Sequence, residues 1–526
     1  MHRTTLGVPR EAGAREKRVA IVPETVAKLA ELGFDVIVEV GAGAEAGFDD
    51  AAYEEAGATV SGPESYREAP AEDPWKADLV VKVSPPSESE AKRLREGATL
   101  VSLLQPESNS ELMAALEAEK VSAIALDKIP RITRAQKMDV LSSMANLAGY
   151  RAVLEGAAAY QGFMGAQVTA AGTDPPAKVL VIGAGVAGLA AIATAHAMGA
   201  EVRAFDVRPA TAEQVESLGG KFLMLDFEES GEGGGGYAKV MSEEFIEAEM
   251  ALFREQAREV DLVITTALIP GKKAPTLLPE DVVAELRPGS VVVDLAAAAG
   301  GNCVYTKADE VVVHEGVTIL GYTDLPSRMA HTASRFFSAN VRHLLTDMVG
   351  EEGFVLDLED EVVRAATQIH EGERLPPPPR KEPTPPPKPE PPREAAPRKE
   401  PEEESGAGKA VGTVIGAAIA AAAFALVGLF APEDFVQHFT VFILACFVGW
   451  QIVWAVAPAL HTPLMSVTNA ISGIVLVGGL VQAAPGGSGL PVILGAVALL
   501  IGTINVAGGF LVTERMLGMF KKGGPK

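Results

Sequence analysis

Four apolar runs close this chain almost without a charge: Val411–Ala431, Phe435–Ala459, Ile471–Ala484 and Leu490–Val512. A hydrocarbon layer ~30 Å thick needs about 20 apolar residues per helical span. The third run reaches that length only if it begins near Val467. The pattern predicts a four-helix transmembrane region over 409–526. Lys409 precedes the first run, and Arg515, Lys521 and Lys522 follow the fourth. The first connecting loop carries Glu433 and Asp434 and no base. The positive-inside rule and an even span count then put both ends of the region in the cytosol. Polar residues within the runs are Gln451, Asn505 and, at an edge, Asn469, none of them ionisable, while His438 and His461 sit near run ends. An ion pathway usually shows intramembrane acids or histidines. The expectation is that any titrating groups lie mostly on another chain. Gly412 and Gly416 form a small-xxx-small pair on the first run, and with Gly473, Gly478, Gly479, Gly495, Gly502 and Gly508 they read as positions where helices pack closely.

In front of this region, 371–408 reads as a Pro-rich linker. From Pro376 to Pro401 about half the residues are proline, mixed with Lys, Arg and Glu. No packed core forms from that composition. Extended as polyproline II it reaches roughly 80 Å. A stiff tether and a plain spacer are both open readings.

The remaining chain alternates strands and helices, the signature of parallel sheets covered on both faces. Arg18–Pro23, Asp35–Glu39, Asp78–Val83, Thr99–Leu104 and Ser122–Leu126 read as strands, with a helix over Thr25–Gly33. A long helix is expected over Met138–Tyr160. A second unit starts at Lys178 and continues through Asp261–Thr266 and Ser290–Leu295, and a further helix is expected over Arg328–Leu345. The fold class is α/β, with two Rossmann-like, doubly wound parallel-sheet domains. The first spans 1–140 and is completed by 328–370; the second spans 141–327.

Lys178–Leu189 reads KVLVIGAGVAGL. Gly183 permits a tight turn, Gly185 lets the backbone approach a pyrophosphate, and Gly188 lets helix and strand pack closely. The glycines open a helix expected over Leu189–Met198, whose free N–H groups and positive dipole end suit phosphates. A second strand, Glu201–Asp206, ends in an acid at the distance expected for a ribose partner. A carboxylate there favours NAD over NADP, and Arg208, two residues on, weakens that preference slightly. An apolar strand before the glycines and a helix after them make the motif more specific than its glycines alone.

The formal net charge of -24 argues against a nucleic-acid partner. Two cysteines, Cys303 and Cys446, exclude a disulfide framework and suit a reducing compartment. The N-terminus lacks an apolar core of signal-peptide length, so the α/β part is expected to stay in the cytosol. No metal-binding cluster is read from the sequence. No His lies between His2 and His196. Oxidation of an alcohol or amine moves a proton with the hydride and usually employs His or Lys for it. Hydride transfer between two nicotinamide rings needs no such group.

With these motifs in place, the chain resembles the alpha subunit of proton-translocating NAD(P) transhydrogenase over all but the Pro-rich segment. The most specific stretch is Arg131–Arg151 (RITRAQKMDVLSSMANLAGYR). The resemblance implies that Arg131, Gln136, Asp139 and Ser142 orient the carboxamide and dihydronicotinamide ring. Read without it, the same residues also fit a capping network at a helix start. Cofactor-binding positions implied together with the glycine motif are Gly183, Gly185, Val186, Ala187, Gly188, Asp206, Val207, Arg208, Thr266, Ala267 and Leu268. Thr265–Gly271 and Asp294–Asn302 look like loops lining the NAD crevice. Gly233–Met241 looks like the family's mobile loop, with Tyr237 closing over nucleotide.

The two-domain part more distantly resembles alanine dehydrogenase. Lys82 matches that enzyme's Lys, but Gln105 stands where its His is expected. The resemblance further implies an enzyme of the Si-Re (AB-specific) type. NAD(H) is bound by this chain and NADP(H) by a beta subunit that brings the remaining spans. A dimer of alpha-beta protomers in a bacterial inner membrane follows, with the NAD-binding domain and both termini cytoplasmic. Two other classes stay open: a membrane-anchored amino-acid dehydrogenase, and an NAD-sensing subunit of a transporter.

Overall fold

The computed structural model describes residues 3–63, 72–225, 242–268, 273–350, 353–377, 432–454, 473–482, 489 and 492–504. The chain divides into two units, Met1–Glu382 and Pro383–Lys526.

The first unit contains two large sheets. In the first, β1 (Thr4–Val8), β2 (Phe34–Glu39), β3 (Thr59–Ser61), β4 (Leu79–Val81), β5 (Thr99–Ser102) and β6 (Ser122–Ala125) run parallel. Their order is β3-β2-β1-β4-β5-β6. A short hairpin, β7 (Gln167–Thr169) and β8 (Gly172–Asp174), precedes the second sheet. That sheet holds β9 (Lys178–Ile182), β10 (Glu201–Phe205), β11 (Lys221–Phe222), β12 (Leu262–Thr265), β13 (Val291–Asp294), β14 (Val311–His314) and β15 (Val317–Leu320). They lie in the order β11-β10-β9-β12-β13-β15-β14, with only β14 antiparallel. Both sheets reverse direction beside their first strand, between β1 and β4 and between β9 and β12. Such switch points are where doubly wound sheets open a crevice. Strands buried on both faces explain the unbroken apolar runs: every residue of β5, β6, β12 and β13 is buried.

Two further pairs follow, β16 (Val349–Gly350) with β17 (Gly353–Phe354), and β18 (Thr367–His370) with β19 (Glu373–Arg374). β18 adds antiparallel to β6, so the chain returns to the first sheet. The helix Ala330–Asp347 packs Ala333, Phe337, Val341, Leu344 and Leu345 into the first core. The helix Val140–Ala159 serves both cores. Val140, Met144 and Leu147 enter the first, and Ala152 and Val153 enter the second.

The expected strand at Arg18–Pro23 is not one. Val19, Ala20, Ile21 and Val22 are buried, but the segment joins no sheet. Its backbone is satisfied by side chains instead. Val19 N–H donates to Ser334 Oγ at 2.9 Å, Val22 N–H donates to Ser338 Oγ at 3.1 Å, and Tyr53 donates to the Ile21 carbonyl at 2.8 Å. A buried apolar run reads as a strand from sequence, but here a helix from the far end of the unit takes the place of sheet neighbours. The actual first strand, Thr4–Val8, was not expected.

In the second unit, helices are described at Glu433–Trp454, Gly473–Gln482 and 492–504. The first overlaps the second apolar run and the other two fall within the third and fourth; the first run lies outside the described residues. Among the described residues, no helix is long and apolar enough to cross a membrane. A Cβ on Gly479 would lie 2.9 Å from the Gly495 carbonyl oxygen, and one on Gly502 would lie 3.1 Å from Leu476 Cδ2. The two helices therefore approach through small residues, as the glycine content suggests.

Candidate nucleotide site

β9 ends at Ile182, and the chain turns at Gly183 with φ +98. A Cβ there would also sit 2.4 Å from Thr266 Oγ1. That hydroxyl instead donates to the carbonyls of Gly183 at 3.0 Å and Ile182 at 3.2 Å, tying the ends of β9 and β12 together. Gly185 caps the helix Val186–Ala197 and has open space where a Cβ would be. Gly188 has none: a Cβ would overlap the Gly183 carbonyl oxygen at 1.8 Å. The three glycines thus serve different needs, and the open one is where a pyrophosphate backbone contact requires it.

Asp206 follows β10 and is only 9% exposed. Its Oδ2 accepts from Ala184 N–H at 2.7 Å, which pins the glycine turn to the neighbouring strand end. Arg208 pairs with it through two side-chain nitrogens, each at 2.8 Å. Hydrogen bonding to Asp206 holds the Arg208 guanidinium above its ordinary pKa. Val207 packs against the second domain's apolar core. Glu249, on the helix Glu243–Ala257, is buried behind Asp206. Burial, and then the charge of Asp206, push its carboxyl up to about 7.

Thr266 and Ala267 are partly buried beside the turn, and Leu268 is exposed. Asp294 anchors the next loop. It accepts from Thr265 Oγ1, the amides of Ala296, Asn302 and Cys303, and Thr306 Oγ1, at 2.6 to 3.2 Å. Asn302 in turn donates to the carbonyls of Ala267 and Pro275. Burial raises the Cys303 thiol to about 11, so it is inert. Tyr237 and its loop lie outside the described residues.

Arg131 and Gln136 are exposed at the turn before the helix Val140–Ala159, the connecting helix between the two cores. Asp139 caps that helix, accepting from Ser142 N–H at 2.9 Å and Ser142 Oγ at 2.5 Å. Arg134 pairs with Asp360, and Lys137 with Asp347, both at 2.8 Å. These bonds clamp the polar segment to the returning part of the first domain. Sequence reading missed these clamps, because their partners lie more than 200 positions away. It also missed Gly149. A Cβ there would lie 1.9 Å from the Ala187 carbonyl oxygen, so the connecting helix touches the nucleotide helix at its first turn. Ser142 is seven residues earlier on the same helix, about 10 Å along its axis. The signal was present as a small residue in a long helix.

Lys82 is buried at the switch point of the first sheet. It lies 3.1 Å from Glu90, 3.5 Å from Glu11 and over the Trp75 ring. Its charge is spent internally. Gln105 is exposed, in a left-handed turn with φ +46.

A glycine turn and a carboxylate at the second switch point define a dinucleotide-binding fold of the Rossmann type. Residues 7–148 and 152–376 match the alanine dehydrogenase/PNT N-terminal and C-terminal domains, and residues 438–522 match the 4TM region of pyridine nucleotide transhydrogenase. The NAD(P) transhydrogenase subunit alpha of Cereibacter sphaeroides is 50% identical over 98% of this chain and 99% of its own. The crystal structure of transhydrogenase from Sinorhizobium meliloti is similar with TM-score 0.61 at 40% identity, over 70% of this chain and 98% of its own. An L-alanine dehydrogenase structure follows with TM-score 0.59 at 25% identity, over 70% and 96%. The chain belongs to the NAD(P) transhydrogenase alpha-subunit family.

Proposed function

We propose that the chain is the NAD(H)-binding and membrane subunit of a proton-translocating transhydrogenase. The observation that carries this reading is the connecting helix, which presents Asp139 and Ser142 at its start and seats Gly149 against the glycine turn. One rigid element thereby relates a phosphate-binding turn to a polar cluster suited to a carboxamide.

Bound NADH supplies the hydride. The turn at Gly183–Gly188 and the following helix hold the pyrophosphate, and Asp206 holds the adenosine ribose. Thr266, Ala267 and Leu268 line the crevice, and Tyr237 closes it. Arg131, Gln136, Asp139 and Ser142 fix the ring so that its transferring face meets NADP+ on a beta subunit at near-attack distance. No residue need carry a proton for the chemical step. The proton path belongs to the joint membrane domain, with the beta subunit supplying further spans and the NADP(H) site. In this reading 1–140 with 328–370 form the first domain, 141–327 bind NAD(H), 371–408 link, and 409–526 cross a bacterial inner membrane with both ends cytosolic. Two alpha-beta protomers assemble as a dimer.

Stopped-flow reduction of an NADP+ analogue by NADH tests this, using the full chain with and without a beta subunit. Rapid reduction requiring both proteins is expected. Tight NADH binding without transfer would sink the proposal, and turnover of alanine by the chain alone would replace it with an amino-acid dehydrogenase.

A further inference from the structure

Both oxygens of Asp206 are fully engaged within the chain. Oδ2 accepts from Ala184 N–H at 2.7 Å and Arg208 Nη2 at 2.8 Å. Oδ1 accepts from Arg208 N–H at 2.9 Å and Arg208 Nε at 2.8 Å. A carboxylate offers about four lone-pair sites, so none is left for a ribose hydroxyl. Two of the four donors are backbone amides, fixed by the glycine turn and by the strand end. The other two belong to a single side chain.

We propose that the Arg208 guanidinium is an internal substitute for the two ribose hydroxyls, a latch that must leave Asp206 for the adenosine ribose of NADH to bind. The inference rests on the NAD(H) reading above.

Which donors yield is decided by burial. The Asp206 side chain is 6% exposed and that of Arg208 is 20% exposed. Stripping a buried amide of its acceptor costs the full desolvation penalty of that amide. The guanidinium is already partly wet and can rotate into water, where its hydration replaces the lost bonds. The two positions it vacates match in number the two hydroxyls of the ribose. The latch also sets selectivity. A 2′-phosphate brings charge of the same sign beside Asp206, and a released Arg208 stays close enough by tether to offset part of that repulsion. The latch therefore lowers affinity for NADH and narrows discrimination against NADPH.

The test is titration of the full chain in detergent with NADH and NADPH, comparing wild type, Arg208→Met and Arg208→Lys, with near-UV circular dichroism to check folding. Arg208→Met is expected to bind NADH about twofold to fivefold more tightly, the worth of a partly exposed ion pair, and to discriminate more strongly against NADPH. Arg208→Lys, which cannot make the two-pronged pair, should fall between; it carries the test if the Met variant does not fold. Unchanged or weaker NADH binding by folded variants would overturn the latch and make Arg208 a binding group. An NADH-bound crystal structure retaining both Arg208–Asp206 bonds would overturn it too. If wild type and variants alike fail to bind NADH, the NAD(H) reading itself fails.

Discussion

Gly149 and Ala187 lie so close that a single methyl on the glycine would sit 1.9 Å from the alanine carbonyl oxygen. The contact joins the helix shared by the two cores to the helix that opens the nucleotide turn. It fixes the spacing between the phosphate end and the nicotinamide end of the proposed site.

Replacing Gly149 with Ala should therefore cost stability and ligand together. Overpacking typically costs about 1–3 kcal/mol, and here the obstacle is backbone, which cannot rotate aside. Gly156→Ala is the control. Its Cβ would meet Leu262 Cδ1 at 2.7 Å and Val293 Cγ2 at 3.1 Å, the ends of side chains that can shift. Thermal melts and NADH titrations of both variants should show the larger loss for Gly149→Ala. Equal losses would mean the helix crossing has slack.

Asp206→Ala should weaken NADH binding by about tenfold, the loss of charge-assisted hydrogen bonds to a ribose, and should reduce discrimination against NADPH. It also frees the Ala184 amide that positions the glycine turn. Isothermal titration with both nucleotides measures the effect. Identical affinities in wild type and variant would place the ribose elsewhere.

Gln136→Ala should lower hydride transfer more than NADH affinity. The residue is exposed at the clamped segment, and the proposed role there is to orient the ring rather than to anchor the nucleotide. Single-turnover transfer with a beta subunit, set beside equilibrium NADH titration, separates the two effects. A loss confined to affinity would make it a docking contact.

Glu249 predicts a pH dependence. Its folded pKa, about 7, lies above the unfolded value of 4.5. The native state therefore binds the extra proton, and stability falls as pH rises between those values. The penalty is absent below about pH 4.5 and complete above about pH 7, at most roughly 3 kcal/mol. Glu249→Gln should raise the melting temperature at pH 8 and leave it nearly unchanged at pH 5. A gain of the same size at both pH values would point to packing rather than titration.

Much of the architecture was legible because its signals are local. The apolar runs at Lys178–Ile182, Leu262–Thr265 and Val291–Asp294 became strands, and the glycine turn fell where the motif put it. Asp206 stands out by its distance from that turn, but its engagement by Arg208 is visible only in the fold, since a sequence does not say whether neighbouring opposite charges pair. Arg18–Pro23 misled because burial and strand pairing leave the same apolar imprint. The Asp139–Ser142 capping pair fits both readings that the sequence left open, and it does not choose between them. The Lys137–Asp347 clamp was invisible because nothing local marks a partner so far along the chain.

The serine hydroxyls that complete Val19 and Val22 stand 315 and 316 positions downstream of them. At ribosomal rates of about 5–20 residues per second, that separation is a wait of tens of seconds. During it the contiguous second sheet can assemble while the first remains open, with Val19–Val22 presented to the surroundings. High contact order slows closure further. The first core therefore closes only once Ser334 and Ser338 have been made, and truncation before Ser334 should yield aggregates rather than a smaller folded protein.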